Sequence, residues 1–462
     1  MADFDYDLLV LGAGSGGVAT SRRAAMHGAR VAVVESGRVG GTCVLRGCVP
    51  KKLLMYAASF GDAFAESRGY GWALGESPRF EMARWQATKG AETTRLEGIY
   101  RQMLAGGNVT LLEGQARLLA PQHVAVRAAD GSEQVVSASE VVLATGGSPV
   151  LDTLPGLESA ATSNELLDLA TLPASAAVIG GGYIAVEFAS MLARLGVAVH
   201  LYFRDRLPLR GFDEMLRTAA ASALQAAGVT LHAGGVPSAV RRLGDGSFVL
   251  LFGEERANAF PWVLNATGRR PNSGGLGLEE LGLALGRNGA VPVDAHGHTS
   301  VAHLHAIGDV TDRKNLTPVA IAEGRALADA LFGGLPPRTL DLNRIASAVF
   351  MLPPLASVGP SEEELRAAGH PHEVYETDFR PMKTAFVGGN ERTRMKLLVD
   401  SASQRVLSVH MAGHDAPEIV QSLAVALTAG ATKSHFDTTV AMHPTAAEEF
   451  VLMRSPTRRF AG

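Results

Sequence analysis

The only two cysteines of this 462-residue chain lie in one short segment, and they are its strongest candidates for chemistry. Cys43 and Cys48 are separated by four residues, each follows closely on a glycine, and Lys51 comes soon after them. A disulfide between them would close a loop too short to restrain much of the unfolded chain, so a large stabilising role is not expected. Two inert buried thiols are the alternative, because free cysteine is among the most buried residue types. The spacing alone favours redox chemistry only slightly.

The composition is that of a large globular protein. The length predicts about three domains of ~150 residues each. A hydrophobic fraction of 47% and a charged fraction of 19% exclude disorder. The net charge of −4 and the absence of a basic stripe argue against a nucleic-acid partner. The most apolar long segment, 174–201, contains three consecutive glycines, Glu187 and Arg194, so we expect no membrane span.

The first residues of the chain affect the expected location. The segment 1–7 is acidic and has no basic stretch followed by an apolar one, so a secretory signal is not expected. We therefore expect a cytoplasmic protein. In that compartment thiols are kept reduced, so a retained cysteine pair is more often catalytic than structural.

A nucleotide-binding pattern occurs twice, and its first copy opens the chain. A predicted strand at 8–11 enters a glycine turn at 12–17 that starts a helix. Such a turn lets the backbone approach a pyrophosphate, which then lies at the helix N-terminus. A second strand ends at Glu35, 23 residues after Gly12, where an acid binds the hydroxyls of an adenosine ribose. The first copy therefore predicts a dinucleotide with a free ribose, as in FAD.

The second copy differs from the first at the ribose position. Its glycine turn is GGGYIA at 180–185, and Phe203 stands 23 residues after Gly180, where the first copy has its acid. Arg204 follows at once and Arg210 six residues later. Guanidinium groups suit a 2′-phosphate, so NADPH is favoured over NADH. Ordinary solvated arginines are the alternative, and the adjacent aspartate could partly neutralise the site. Together the two copies predict electron transfer from a nicotinamide to a flavin.

Matched segments divide the rest of the chain. The tripeptide Ala-Thr-Gly occurs at 144–146 and again at 266–268, each time directly after an apolar strand. We expect each of these segments to close one nucleotide domain. Another strand ends at Asp309, and a helix begins near Thr317. Such an acid can hold a polyhydroxyl chain and such a helix N-terminus can stabilise negative charge, although Asp309 could equally be a plain turn residue.

We predict an α/β protein with two Rossmann-like dinucleotide-binding domains and a C-terminal α+β domain, divided as follows: 1–150, first part of the FAD domain; 151–272, NADPH domain; 273–340, completion of the FAD domain; and 341–462, the C-terminal domain.

With these segments together, the chain resembles the flavoprotein disulfide reductases and, within that family, the glutathione reductases. The resemblance rests on GTCVLRGCVPKK at 41–52, on both glycine turns, on Gly308-Asp309, and on HPTAAEE at 443–449. Within the family, the lysine pair at 51–52, Ser-Arg-Arg at 21–23 and the two arginines after the second copy favour glutathione over lipoamide. The resemblance implies FAD and NADPH, oxidised glutathione as substrate, and a homodimer held by the C-terminal domain.

The resemblance also implies distinct roles for the two thiols. Cys48 would be the flavin-side thiol, and Cys43 would attack oxidised glutathione. His443 would protonate the leaving thiolate while Glu448 orients its ring, and both would come from the partner subunit. Taken alone, His443 is one of 14 histidines and would more often be structural.

Further roles follow from the same resemblance. Lys51 would lie near the reactive flavin nitrogen and pair with Glu187, and Tyr183 would be a movable cover over the nicotinamide site. The residues expected to bind FAD are Gly12, Gly14, Ser15, Gly17, Glu35, Thr42, Thr145, Gly146, Asp309 and Thr317. Those expected to bind NADPH are Gly180, Gly182, Tyr183, Ile184, Arg204, Arg210 and Gly268. No metal site is predicted.

The substrate pocket should be cationic, because oxidised glutathione carries several carboxylates. The resemblance assigns to it Ala19, Arg22, Tyr100 and Arg325. Eight residues before Tyr100, where related animal enzymes have a second tyrosine, this chain has Glu92. That acid leaves open a modified disulfide such as that of glutathione amide. A catalytically silent, redox-sensing flavoprotein is the alternative from another class.

Overall fold

The protein has the α/β class predicted from its sequence. The computed structural model describes residues 4–75, 78–253 and 255–462. Its strands are β1 Tyr6–Leu11, β2 Val31–Glu35, β3 Val109–Glu113, β4 Gln115–Ala120, β5 His123–Arg127, β6 Glu133–Leu143, β7 Gly147–Pro149, β8 Ser175–Ile179, β9 Ala198–Phe203, β10 Thr230–Ala233, β11 Ala239–Arg242, β12 Phe248–Phe252, β13 Glu255–Phe260, β14 Val263–Asn265, β15 Arg269–Pro271, β16 Leu304–Ala306, β17 Ser347–Val349, β18 Leu355–Val358, β19 His372–Phe379, β20 Thr393–Asp400, β21 Val406–Ala412 and β22 Arg458–Phe460.

The α-helices are α1 Ser15–Met26, α2 Gly41–Leu45, α3 Cys48–Ser67, α4 Met82–Ala105, α5 Ser163–Leu167, α6 Tyr183–Arg194, α7 Glu214–Ala226, α8 Thr317–Phe332, α9 Glu362–Ala367, α10 Met382–Phe386, α11 Ala416–Thr428, α12 Lys433–Thr438 and α13 Glu449–Leu452. Glycines precede the α-helices α1, α2 and α6, and side-chain caps precede α5, α7 and α9. None of the described helices is long and apolar enough to cross a membrane.

The chain divides into two compact units. Unit 1 comprises 1–51, 83–150 and 268–340, and unit 2 comprises 52–82, 151–267 and 341–462. The four domain limits expected from the sequence remain predictions, since this division joins the second nucleotide-binding segment and the C-terminal segment in one unit.

Unit 1 is built on a sheet with the strand order β3-β2-β1-β6-β5-β4, and β16 also pairs with β6. Strands β1, β2, β3 and β16 run parallel to their neighbours. Leu8 to Leu11 of β1 are all buried, as expected of a central parallel strand covered on both faces. The parallel strands end at one edge, so the glycine turn after β1, Glu35 of β2 and Asp309 beyond β16 share that edge.

Helices α1 and α8 of unit 1 pack closely through small residues. A Cβ on Gly324 would lie 2.1 Å from the Thr20 hydroxyl oxygen, and one on Gly16 would lie 3.2 Å from the Ala320 Cβ. Only glycine permits this approach. As a result the first residue of α8, Thr317, is held close to the start of α1.

Unit 2 contains the second nucleotide sheet and the C-terminal sheet. The parallel sheet has the order β10-β9-β8-β14, and β11-β12-β13 form a separate antiparallel sheet. The C-terminal segment forms a six-stranded antiparallel sheet, β17-β18-β21-β20-β19-β22. Helices α11, α12 and α13 contribute Val420, Phe436 and Phe450 to the core on this sheet.

Candidate functional site

The first glycine turn and the cysteine segment are in direct backbone contact within unit 1. Gly41 has a φ of +63°, and a Cβ on it would lie 2.7 Å from the Gly14 Cα. The amide of Gly40 donates a hydrogen bond to the Ala13 carbonyl at 2.9 Å. Inside the turn, a Cβ on Gly17 would lie 1.9 Å from the Gly12 carbonyl oxygen. The turn therefore closes only with glycine, and it fixes where the thiols begin.

The acid predicted for the ribose lies beside this turn. Glu35 ends β2, and its carboxylate accepts the amides of Ala13 at 2.7 Å and Gly37 at 2.8 Å. A carboxylate oxygen has a further lone pair, so each can also accept a ribose hydroxyl. This position and the glycine turn fit the adenosine half of FAD.

Asp309 occupies a second polar position suited to FAD. It lies in the short turn Gly308–Thr311 that follows β16. Burial raises the pKa of its carboxyl group, and the nearby Arg269 opposes that effect. Hydrogen-bond donors stabilise a carboxylate whose charged form is disfavoured by burial, and the polyhydroxyl chain of a flavin would supply such donors.

The remaining residues expected to bind FAD are distributed over the same unit. Gly14 precedes α1 and Ser15 begins it, Thr42 lies in α2, and Thr145 and Gly146 follow β6. The Thr145 hydroxyl already donates to the Asn272 carbonyl at 2.7 Å, so it holds two segments of unit 1 together. A role for Thr145 in contacting FAD stays a prediction.

Cys43 and Cys48 are free thiols that share one hydrogen bond. Cys48 is the first residue of the 20-residue helix α3, so its sulfur lies where helix amides favour negative charge. The hydroxyl of Thr317 lies 3.4 Å from the Cys48 sulfur, although 269 positions separate the two residues. No sequence motif marks this contact, because it depends on the packing of α8 against α1.

The two thiols have opposite acidities. The hydrogen bond from Cys43 lowers the pKa of Cys48 to about 6, with further help from Thr317 and Lys51. The pKa of Cys43 is raised by the same hydrogen bond, by burial and by repulsion from a Cys48 thiolate. At neutral pH the pair therefore holds one proton, with the negative charge on Cys48.

Tyr100 is the substrate-pocket candidate that the structure brings to the thiols. It is half-buried on α4, and its pKa is raised by burial and then by electrostatic interaction with Cys43 and Cys48. Ala19 and Arg22 lie half-buried on α1, and Arg325 is exposed on α8. Their contact with a substrate stays a prediction.

Glu92 is paired with a neighbouring cation. Both of its carboxylate oxygens accept hydrogen bonds from Arg95, at 2.7 and 2.8 Å. The hydrogen bond from Arg95 lowers the pKa of Glu92. Eight helical residues place Glu92 about 12 Å from Tyr100 along α4. The negative charge of Glu92, which weakened the expectation of an anionic substrate, is therefore balanced by the adjacent Arg95.

The second glycine turn lies in unit 2 and has the same construction. Gly180 donates its amide to the Tyr202 carbonyl at 2.9 Å, and a Cβ on Gly181 would lie 3.0 Å from that of Phe203. Gly182 precedes α6, which begins with Tyr183 and Ile184. Phe203 is buried, so the position that Glu35 holds in unit 1 carries no carboxylate here. Gly268, expected at this site, belongs to unit 1.

The two arginines expected at the 2′-phosphate are exposed. Among the residues described, neither Arg204 nor Arg210 forms an ion pair, whereas Arg206 pairs with Glu214. Sequence analysis missed Arg217, which donates to the carbonyls of Leu207 at 2.7 Å and Pro208 at 2.9 Å. No motif marks Arg217, because its role depends on the fold of the loop it holds.

The histidine and glutamate near the C-terminus are in contact. The His443 Nδ1 lies 3.1 Å from each Glu448 oxygen. The His443 side chain is 80% exposed, while that of Glu448 is 13% exposed. Glu448 can therefore orient the ring while the other nitrogen is open to an incoming group.

Glu187 lies in the second turn of α6 and is fully buried. Its carboxylate accepts the Phe350 amide at 2.8 Å. Its pairing with Lys51 stays a prediction.

Comparisons with known proteins agree with this geometry. Residues 6–324 match the family described as pyridine nucleotide-disulphide oxidoreductase, and residues 345–454 match its dimerisation domain. The chain is 43% identical to the chloroplastic/mitochondrial glutathione reductase of Pisum sativum, over 99% of this chain and 83% of that protein. It is 44% identical to the glutathione reductase of Burkholderia cepacia, over 98% and 100%. A solved Cu(II) complex of the HOCl-induced flavoprotein disulfide reductase RclA from Escherichia coli superimposes with a TM-score of 0.86 at 26% identity, covering 97% of this chain and 98% of that one.

Replacing Thr317 tests the origin of the low Cys48 pKa. We expect Thr317→Val to raise that pKa from about 6 by roughly one unit, because the thiolate loses a hydroxyl donor. The thiolate forms as pH rises through the pKa, so the midpoint of the pH–rate curve for alkylation of the reduced protein should move upward. Thr311→Val is the matched control, since the Thr311 hydroxyl donates only to the nearby Gly308 carbonyl. An unchanged midpoint in Thr317→Val would contradict this assignment.

Proposed function

This chain belongs to the pyridine nucleotide-disulphide oxidoreductase family, and we propose from that premise that it is an FAD-dependent enzyme that reduces oxidised glutathione with NADPH. The balanced reaction converts NADPH, one proton and the disulfide into NADP⁺ and two thiols. The observation that carries the proposal is the thiol pair with opposite acidities beside the FAD-type glycine turn. When bound, FAD accepts a hydride from NADPH and supplies an electron pair for reducing a disulfide.

The thiols would then act in sequence. Cys43 first gives up its proton, and its thiolate attacks one sulfur of oxidised glutathione. The substrate S–S bond breaks, a Cys43–glutathione disulfide forms, and the first glutathione leaves as a thiolate. The Cys48 thiolate next attacks the Cys43 sulfur, expels the second glutathione as a thiolate and forms the Cys43–Cys48 disulfide. This second thiolate takes up the one proton that the overall reaction consumes. The low pKa of Cys48 keeps it ready for this second step.

The proton would pass through a histidine. One ring nitrogen of His443 is open, and the Glu448 carboxylate holds the other, so the ring is oriented for proton transfer. It would accept the Cys43 proton and then donate it to the departing glutathione. The reaction requires His443 close to Cys43, and we propose that His443 of the partner subunit serves each site.

A homodimer accounts for the surface around that histidine. The match of 345–454 to a dimerisation domain supports it. Val440 and Met442, next to His443, are 91% and 77% exposed, and such apolar exposure is typical of an interface. The cytoplasmic location expected from the sequence stays a prediction.

Glutathione is the substrate best supported by the charges. Relatives 42–44% identical over nearly the whole chain are named glutathione reductases. Arg22 and Arg325 would receive its carboxylates, and Tyr100 lies close to the attacking thiol. The disulfide of glutathione amide is a second candidate because of Glu92, but the pairing of Glu92 with Arg95 reduces the weight of that acid.

Replacement of the outer thiol tests the proposal. We expect Cys43→Ser to lower the turnover of oxidised glutathione by roughly a thousandfold or more, because no other group can form the mixed disulfide. NADPH oxidation with an artificial electron acceptor should remain near the wild-type rate, and it serves as the internal control for folding and FAD content. Retained glutathione turnover, or faster wild-type turnover of glutathione amide disulfide or lipoamide, would show that the proposal is wrong.

Mixed dimers test the shared site. Cys43→Ser and His443→Gln homodimers should both be inactive on oxidised glutathione. Random mixing of the two chains makes half of the dimers hybrid, and each hybrid would hold one complete site and one doubly damaged site. We therefore expect about a quarter of the wild-type activity after co-expression. If the histidine instead acted on the thiols of its own chain, co-expression would restore no activity.

A further inference from the structure

The loop that carries the two exposed arginines of unit 2 is anchored near its middle and at its C-terminal end. We call residues 204–212 the arginine loop; it follows β9 and ends at Asp213, the residue that caps α7. Near its middle, the Leu209 amide donates to the Gly181 carbonyl at 2.7 Å. Arg217 holds the carbonyls of two further loop residues. The end at Asp213 lies only three residues from Arg210.

Asp213 joins two helices through one carboxylate. It is fully buried, and its Oδ1 accepts the Met215 amide in the first turn of α7 at 2.9 Å. Its Oδ2 accepts the amide of Glu362, the first residue of α9, at 3.1 Å. The end of the arginine loop is therefore tied to the C-terminal segment of the same unit.

Lys396 of β20 supplies the counter-charge. It is 2% exposed, and its Nζ lies 2.8 and 3.1 Å from the two oxygens of Asp213. The same Nζ lies 3.0 Å from both Glu362 and Glu376. Arg458 bonds to both of these glutamates, and Arg366 bonds to Glu362.

The cluster is electrically balanced. Three carboxylates, Asp213, Glu362 and Glu376, meet three cations, Lys396, Arg366 and Arg458. His410 also faces Asp213, at 3.9 Å, and burial lowers its pKa, which favours the neutral ring. Loss of Lys396 would leave the buried Asp213 carboxylate without its closest cation, and repulsion from the glutamates would favour its displacement.

We infer that Lys396 and Asp213 are positioning residues for NADPH: through the cap of α7 they hold the arginine loop where Arg204 and Arg210 meet the 2′-phosphate. The inference rests on the proposed use of NADPH. Charge-assisted hydrogen bonds act over about 2.7–2.9 Å, so a small shift of the loop end weakens them. Discrimination between the two nicotinamide cofactors thus depends on a lysine of the C-terminal sheet.

Binding of adenosine 2′,5′-bisphosphate tests this inference directly, with 5′-AMP as the probe that lacks the 2′-phosphate. Calorimetry on the FAD-loaded dimer measures both without turnover. We expect Lys396→Met to weaken binding of the bisphosphate about tenfold and that of 5′-AMP by less than about twofold. Turnover of oxidised glutathione at saturating NADPH should be kept, with the KM for NADPH raised.

Lys433→Met is the matched control. Lys433 is also buried, at 3% exposed, and also pairs with a carboxylate of unit 2, Asp437, but it lies on α12 and does not touch Asp213. This variant should bind both probes like the wild type. Equal binding of the bisphosphate by Lys396→Met and Lys433→Met would overturn the inference.

Two further variants separate the possible failures. If Lys396→Met does not fold, Asp213→Asn replaces it. This variant keeps a carbonyl acceptor for the Met215 amide but loses the negative charge. If Asp213→Asn binds the bisphosphate as tightly as the wild type does, the inference is overturned. Arg204→Ala with Arg210→Ala should abolish the preference for the bisphosphate. If the wild type itself binds the two probes equally, the proposed use of NADPH fails as well. If the double variant keeps the preference, the two arginines do not bind the 2′-phosphate.

Discussion

The thiol site of unit 1 depends on a single proton that Cys43 and Cys48 share. The negative charge is favoured on Cys48 first by the hydrogen bond from Cys43, and then by the Thr317 hydroxyl, Lys51 and the start of α3. These groups come from three helices, because Cys43 lies on α2, Lys51 on α3 and Thr317 at the start of α8, so the acidity of this sulfur depends on how the three helices pack. The proposed chemistry needs this asymmetry, because one thiol must wait as a thiolate while the other meets the substrate.

Much of this site could be predicted from the sequence, because its signals are local. The glycine turns, the acid 23 residues after Gly12 and the phenylalanine 23 residues after Gly180 depend on strand–turn–helix geometry that repeats in every such unit. Thr317 was expected near the flavin on resemblance, but its bond to Cys48 was not. Arg217 and Lys396 were missed, because their partners are set by packing between elements and carry no motif. The pairing of Glu92 with Arg95 was available from their helical spacing of three residues and was overlooked.

The two glycine turns show how one backbone design takes two cofactors. In unit 1 the strand after the turn ends in a carboxylate, which binds neighbouring amides and can accept ribose hydroxyls. In unit 2 the same position is a buried phenylalanine, and exposed cations follow it. Because a carboxylate would repel a 2′-phosphate and guanidinium groups attract it, this exchange favours FAD in one unit and NADPH in the other. The loop that carries the cations needs its own anchors, which the buried cluster around Asp213 supplies.

The proposed chemistry depends most directly on Cys48 being the thiolate beside the flavin. Anaerobic titration of the FAD-loaded dimer with NADPH measures this, because a thiolate in contact with oxidised flavin adds absorption at wavelengths longer than the bands of the flavin itself. We expect this absorption to appear in the wild type when NADPH opens the disulfide, and to be present in Cys43→Ser before any NADPH is added. In both it should fade as pH falls below about 6, where Cys48 gains its proton. It should be absent from Cys48→Ser. Its presence in Cys48→Ser together with its loss in Cys43→Ser would reverse the two roles and contradict the account.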